Sequence, residues 1–289
     1  MNIKDFTELC YVVLAKRNMY PARTIGLKDF VKHFVAHAWM AHSLEGDGKE
    51  MLEILLDDEQ LVGGEVFNSN FYLRFDEIYP AALKENKAWK HFMPALIGFK
   101  GKGKGVGEMY LAMVIAGWTA DRVAGKGDGS VAGGIRELKN NGASLKPMLE
   151  ALRIQDTLNS TIFEGHRAGP VTKFENHFNW IKTKNAVEVY TNYFSQLYPG
   201  KDIKSMCAKL AKAQTGREFN NIIGTEVLRW YKEIDHWDSL IIIDQKKMMI
   251  ANIADLTDLS QFPNIKFDWK SERGGDTQAI SDGYVNVHI

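Results

Sequence analysis

The hydrophobic pattern divides the chain into helical stretches and fewer extended ones. Over residues 1–95, apolar positions recur at helical spacing, as in LKDFVKHFVAHAWMAH, KEMLEILLDDEQLV and AWKHFMPALIGF. This spacing predicts a mainly helical N-terminal region, and residues 145–234 are predicted to be mainly helical as well. Between them, GVGEMYLAMVIAGW predicts a helix from about Gly107 to Gly117, with Glu108 in its first turn.

Extended segments follow this short helix and return near the C-terminus. DGSVAGGIRELK is typical of two short strands joined by a tight reversal at Gly133 and Gly134. DSLIIID, MMIANI, NIKFDW and GYVNVHI predict further strands, with a turn at QKK after the first. Helical stretches and clustered strands together predict an α+β fold. We expect two domains, a helical region over 1–95 and a domain over 96–289 that contains a helical insertion at about 145–234.

Composition is that of an ordinary soluble globular protein, with 45% hydrophobic and 25% charged residues in 289. The longest apolar run, MYLAMVIAGW, has ten residues, whereas a membrane-spanning helix needs about 20. No N-terminal stretch has the pattern of a signal peptide. Cys10 and Cys207 lack the spacing of a metal or redox site. These features predict a reducing, cytoplasmic location and no membrane partner.

Charge is balanced overall but distributed unevenly. Residues 99–153 hold nine Lys and Arg against five Asp and Glu, whereas residues 235–289 hold five against nine. A basic segment in a neutral protein can bind a polyanion. A solvated surface produces the same pattern, so charge alone leaves both interpretations open.

Two candidate sites match known motifs only in part. The segment 98–104 fits the start of the phosphate-binding pattern G-x-x-x-x-G-K, but Gly105 stands where that pattern needs Ser or Thr. His33 and His37 are spaced to share a helix face, as metal ligands do, but no Glu follows His33 as in H-E-x-x-H. Packing against the core is the commoner use of such a pair.

The strongest constellation begins at Asp128, which is followed after eight residues by Glu137, Leu138 and Lys139. Glu137 and Lys139 are two apart, so on a strand they project from one face while Leu138 points to the core. The glycine reversal brings Asp128 beside Glu137 on the neighbouring strand. The preceding helix adds Glu108 to this set.

These residue types fit phosphodiester cleavage. Carboxylate oxygens are good ligands for Mg²⁺, and the ion supplies hydroxide at neutral pH and neutralises charge at phosphorus. A lysine orients the attacking water or stabilises the phosphate in the transition state. Charged residues on a half-exposed strand also generate D-x(8)-E-x-K by accident. The more specific signal is its position after a glycine-led helix that carries an acid.

The segments GVGEMYLAMVIAGW and GDGSVAGGIRELKNNGASLKP resemble the PD-(D/E)XK nuclease superfamily. More narrowly, they are similar to restriction-endonuclease-like proteins, including phage-encoded forms. The resemblance covers about 101–147 and extends loosely to the C-terminal strands. It implies a mixed sheet flanked by helices over 96–289 and a metal-dependent endonuclease that hydrolyses DNA. Two alternatives stay open: a non-catalytic phage structural or accessory protein that retains the fold, and a helical interaction protein.

The resemblance also implies roles for the four polar residues. Asp128 and Glu137 would bind Mg²⁺, with Mn²⁺ as an alternative, and Glu108 would assist the metal or the water. Lys139 would be the catalytic lysine. Gly127 replaces the Pro of the family motif, and SVAGG is poor in β-branched residues, so the strand after Asp128 is expected to be short or bulged.

DNA is the expected partner. Three lysines of the glycine run are expected to contact backbone phosphates: Lys100, Lys102 and Lys104. Three polar residues after the E-x-K strand either touch phosphate or a base edge or form an ordinary turn: Asn140, Asn141 and Ser144. Double-strand cutting requires two sites, which implies a homodimer or docking to a larger assembly. The expected location is the host cytoplasm, or the virion for a phage-encoded form.

Overall fold

A computed structural model describes residues 3–17, 32, 46–98, 106–119, 127–145, 179, 181–260, 262, 264–269, 272–274, 278–280 and 284–289. The chain forms two compact units. Unit 1 is Met1–Asn140 with His236–Gln261, and unit 2 is Asn141–Asp235 with Phe262–Ile289. Unit 1 continues across position 95, so the units are divided differently from the two domains predicted above.

Helices supply most of the regular structure. In unit 1 they are α1 (Ile3–Lys16), α2 (Asp47–Leu56), α3 (Ala81–Lys84), α4 (Lys87–Gly98) and α5 (Val106–Val114), with 3₁₀ turns at Asp58–Gln60, Gly64–Asn68 and Phe75–Ile78. In unit 2 they are α6 (Ala186–Leu197), α7 (Lys204–Leu210) and α8 (Gly216–Asp235). Helix α5 ends earlier than the predicted Gly117, because Ile115 leaves the helix to form a bridge with Val62.

Over the residues that the structure describes, ten strands complete the α+β fold, and this class agrees with the prediction. They are β1 (Phe71–Arg74), β2 (Gly129–Val131), β3 (Gly134–Asn140), β4 (Ser144–Leu145), β5 (Ser239–Asp244), β6 (Met249–Ile253), β7 (Lys266–Trp269), β8 (Glu272–Gly274), β9 (Gln278–Ile280) and β10 (Val285–His288). The strands predicted from DSLIIID, MMIANI, NIKFDW and GYVNVHI are all present as β5, β6, β7 and β10.

Unit 1 is built on a five-stranded mixed sheet of order β1-β6-β5-β3-β2. Strands β3 and β5 are parallel and the other neighbours are antiparallel. All six residues of β5 are buried, as the continuous apolar run of this strand predicts for a central position. Strand β1 comes from the region predicted to be helical and pairs with β6 at the sheet edge. On one side of the sheet, Ile241 and Ile243 pack into a core that includes Tyr110 of α5.

Unit 2 has a three-stranded sheet of order β4-β10-β7 and a two-stranded sheet of β8 and β9. Helix α8 lies directly on β7: a Cβ added at Gly224 would be 2.0 Å from Cγ of Phe267. Two of the predicted C-terminal strands, β7 and β10, therefore belong to a different sheet from the E-x-K strand. In the described part of the chain, no helix is both long and apolar enough to cross a bilayer.

Candidate active site

A tight hairpin joins β2 and β3 and sets the register of the candidate site. Gly129 lies opposite Arg136 and Val131 opposite Gly134, and extending this register by one residue sets Asp128 opposite Glu137. The turn consists of Ala132 and Gly133, whose φ angles are 49° and 73°. Two residues with positive φ are the hallmark of a type I′ hairpin turn. The predicted reversal at Gly133 and Gly134 is therefore displaced by one residue, and Gly134 begins β3.

Asp128 is held against β3 by backbone hydrogen bonds. Its N–H donates to the carbonyl of Arg136 at 2.8 Å, and its Oδ2 accepts from the N–H of Leu138 at 3.1 Å. Gly127 explains how the backbone comes this close. Its φ is +31°, and an added Cβ would be 2.7 Å from the carbonyl oxygen of Arg136, so no side chain fits there. A glycine at position 127 thus has a local structural reason.

Lys139 connects the two acids. Its Nζ donates to Oε1 of Glu137 and lies 4.0 Å from Oδ2 of Asp128. The side chain of Glu137 is 7% exposed, that of Asp128 17% and that of Lys139 22%, so these contacts form largely away from solvent. The three residues of the D-x(8)-E-x-K pattern lie together in the structure.

Glu108 approaches the same place from helix α5. It lies in the first turn, as predicted, and only 5% of its surface is exposed. Gly107 lets the helix begin directly on the sheet, because an added Cβ would be 2.4 Å from Cδ1 of Ile243. A cavity of about 210 Å³ opens there, lined by Gly107, Glu108, Asp128, Leu138, Lys139, Asn140 and Ile243. Glu108 and Asp128 therefore face one cavity, which lies at the carboxyl ends of β3 and β5.

The predicted ligand set is chemically suited to Mg²⁺ because it consists of carboxylate oxygens. Among the residues that the structure describes, however, no group of three or more His, Cys, Asp or Glu is arranged to hold a metal ion. The contact that links Asp128 and Glu137 is made by the Lys139 ammonium. A magnesium site here stays a prediction, and its ligands would have to move relative to this arrangement.

The predicted DNA-contacting residues fall into three groups. The three lysines at 100, 102 and 104 lie outside the described residues, as do His33 and His37. Asn140 ends β3, is exposed and lines the cavity. Asn141 and Ser144 belong to unit 2: Asn141 Oδ1 accepts from the N–H of Ile289 at 3.0 Å, and Ser144 Oγ bonds Asn286 Oδ1 at 2.7 Å. These last two contacts are those of a structural turn.

Arg136 is a polar residue of this region that the sequence did not single out. Its side chain is buried on the face of β3 opposite to Glu137. The guanidinium donates to the carbonyl of Phe67, to Ser239 Oγ and to Asn68 Oδ1 at 2.8–3.2 Å. Burial lowers the pKa of this guanidinium, and the charge of Asp238 opposes that shift. Gly134 provides its space, since a Cβ there would be 2.6 Å from Nη2 of Arg136. The signal in the sequence was a glycine two positions before a charged residue.

Comparisons of the chain with protein-family models, with curated proteins and with solved structures give no match. The resemblance to PD-(D/E)XK nucleases therefore depends on the motif and on the local geometry described above. Fold and site together define an α+β protein with an acidic, lysine-containing cavity at the carboxyl ends of two internal strands of a mixed sheet.

Proposed function

We propose that this protein is a metal-dependent endonuclease that hydrolyses DNA phosphodiester bonds. One observation supports the proposal most: Lys139 contacts both Asp128 and Glu137, while Glu108 and Asp128 line the same cavity. The order of these residues along the chain is the order of the nuclease motif. Because both strands of DNA must be cut, the proposal includes a homodimer or docking to a larger assembly.

The chain's own residues would divide the work. Asp128 and Glu137 would provide oxygen ligands for Mg²⁺, and Glu108 would provide a further carboxylate at the cavity wall. The bound ion would supply hydroxide and neutralise charge on the phosphate. Lys139 carries a positive charge into the cavity on a strand whose backbone is fixed by pairing with β5. Its ammonium can donate to a phosphate oxygen on which charge develops only in the transition state.

The test is plasmid cleavage in Mg²⁺ or Mn²⁺, with EDTA as the metal-free arm. Asp128→Asn, Glu137→Gln and Lys139→Met should each lower the cleavage rate by about 10²-fold or more. A double variant should be little worse than the worst single one, because the residues act as one unit. Glu226→Gln is the matched control. Glu226 is also buried and also contacts cations, Lys209 and Arg229, but lies in unit 2.

Cleavage by Glu137→Gln at the parental rate would show that the site is assigned wrongly. A parent that cuts no DNA with either metal would favour the second candidate, a non-catalytic phage structural or accessory protein. That candidate is supported by the ion pairing of Lys139 with both acids, which offsets part of their charge without a metal. Calorimetric titration with Mg²⁺ separates the two candidates. Only the enzyme has to bind Mg²⁺, and the substitution Asp128→Asn should weaken that binding.

A further inference from the structure

The turn between β5 and β6 has a fixed shape and carries two adjacent lysines. Asp244, the last residue of β5, accepts through Oδ1 from the backbone N–H groups of Lys246 and Lys247 at 3.0 and 3.1 Å. Met248 has a φ of 56°, which is uncommon for a residue other than glycine. Its carbonyl accepts from the N–H of Phe75 at 3.0 Å. The turn is thus held at its start and at its end.

This turn lies at the carboxyl end of β5, and the cavity lies at the same end of β3 and β5. Strands β3 and β5 are parallel, with Asn140 opposite Ile243, and both of these residues line the cavity. Lys246 is three residues beyond Ile243. An extended chain spans at most about 3.6 Å per residue, so the Cα of Lys246 is within about 11 Å of a residue in the cavity wall.

The lysines present positive charge to solvent beside this acidic cavity. Both are exposed. The Nζ of Lys247 lies 3.5 Å from Oδ2 of Asp244, whose side chain is 5% exposed. Asp244 therefore offsets part of this charge and directs the side chain. The surrounding segment 235–289 has an excess of acids, so the pair does not follow from a generally basic composition.

A pair of lysines on a turn whose backbone is fixed, near a candidate phosphodiester site, has a direct use. Lysines that contact phosphate supply affinity and register without reading sequence. Residues held in sparsely populated backbone conformations are concentrated at functional sites, and the φ of Met248 is an observed instance. We propose that Lys246 and Lys247 bind the phosphate backbone of the DNA whose scissile phosphate enters the cavity. This inference rests on the proposed function, because it takes DNA as the substrate.

The experiment measures binding separately from cleavage. A fluorescently labelled DNA duplex is titrated with protein in EDTA at several salt concentrations, and anisotropy gives the association constant. Lys246→Ala with Lys247→Ala should flatten the dependence of log K on log salt by about two units, because each lysine neutralises about one phosphate. The turn itself should persist, because its hydrogen bonds to Asp244 come from backbone N–H groups.

Lys87→Ala with Lys90→Ala is the matched control, since both lysines are exposed on α4 of unit 1 and neither lines the cavity. This control should keep the parental slope, and thermal melts should show all variants folded. A parental slope in the Lys246 and Lys247 variant, or a parent that binds no duplex, overturns the inference. A reduced slope without cleavage in Mg²⁺ defeats the proposed enzyme but supports the binding surface. Cleavage in Mg²⁺ with an unchanged salt slope supports the proposed enzyme but defeats the binding surface.

Discussion

Unit 1 and unit 2 bury different kinds of side chain. Among the described residues, the buried polar and charged ones of unit 1 are Arg17, Asn86, Glu108, Arg136, Glu137, Ser239, Asp244 and Asn252, whereas those of unit 2 are Asn220 and Glu226. Burying a charge costs free energy unless the charge is paired and hydrogen-bonded. The charges buried around β3 and β5 have such partners, and they surround the site proposed above.

The interior of unit 2 is filled by aromatic rings. Phe194 stacks on Tyr198 with centroids 5.9 Å apart, and Tyr198 packs on Trp230 at 4.9 Å. Tyr190 and Phe219 extend the same cluster. Large rings that bury apolar area are an efficient source of stability. Aromatic rings also pack against one another in unit 1. The difference is therefore that unit 1 adds buried polar and charged groups to an aromatic core, and the following predictions compare the two units.

The largest expected effect comes from closing one close contact between an α-helix and a sheet in each unit. In Gly224→Ala of unit 2, the new Cβ would meet Cγ and Cβ of Phe267 at 2.0 and 2.3 Å. These atoms are near the backbone and cannot turn away, so we expect a loss of about 3 kcal/mol in the free energy of unfolding. In Gly107→Ala of unit 1, the clash is with the terminal Cδ1 of Ile243, which can rotate. The loss there should stay below about 1 kcal/mol, since alanine also favours the helix.

Urea unfolding of the two alanine variants measures both values. Gly107→Ala should in addition alter the cavity, since Ile243 lines it. Equal losses in the two variants would contradict the assignment of the more rigid contact to unit 2.

A smaller effect is expected from removing one cation in each unit. Lys139→Met leaves two mostly buried acids without their shared partner, and we expect a loss of about 2 kcal/mol, below the value for fully buried pairs because Lys139 is partly exposed. Arg229→Met is the counterpart. Arg229 is half exposed and Glu226 keeps Lys209, so the loss should be about 0.5 kcal/mol.

The double variant Lys139→Met with Glu137→Gln sharpens this test. If the loss in Lys139→Met comes from unpaired charge, neutralising Glu137 should restore part of the stability. If the losses of the two single variants simply add in the double variant, Lys139 acts through packing instead.

A gain in stability, rather than a loss, is expected at the residue where the chain passes from unit 2 to unit 1. His236 follows the last residue of α8 with a φ of 50° and is exposed. Glycine adopts this left-handed conformation at helix ends without strain. His236→Gly should therefore raise the free energy of unfolding by about 0.5–1 kcal/mol in thermal melts. His236→Ala is the control and should give no gain, because alanine keeps the strained backbone.

Local patterns in the sequence predicted the parts of the site that depend on local structure. The first-turn position of Glu108 follows from a glycine before an apolar run, and the shared face of Glu137 and Lys139 follows from strand periodicity. The reversal was displaced by one residue because Gly133 and Gly134 both suit a turn, and Ala132 gave no sign that it would take a positive φ.

Pairing between distant segments was not predictable in this way. FYLR at 71–74 has no alternation, and its pairing with β6 depends on a partner about 180 residues away. The C-terminal strands were recognised as strands, but their sheet was not, because membership depends on packing such as that of Phe267 on α8. The role of Arg136 likewise depends on the carbonyl group of Phe67 and the hydroxyl of Ser239, which no local pattern places beside it.

The parallel pairing of β3 with β5 joins residues 103 positions apart, and this separation governs when the cavity can form during synthesis. Ribosomes add about 5–20 residues per second, so β3 waits about 5–20 s for the strand beside it. Pairing over such a distance closes late in folding because it requires a long loop to be ordered first. Ile243, which completes the cavity wall, arrives with that strand. Any activity at this cavity is thereby limited to chains whose translation has passed β5.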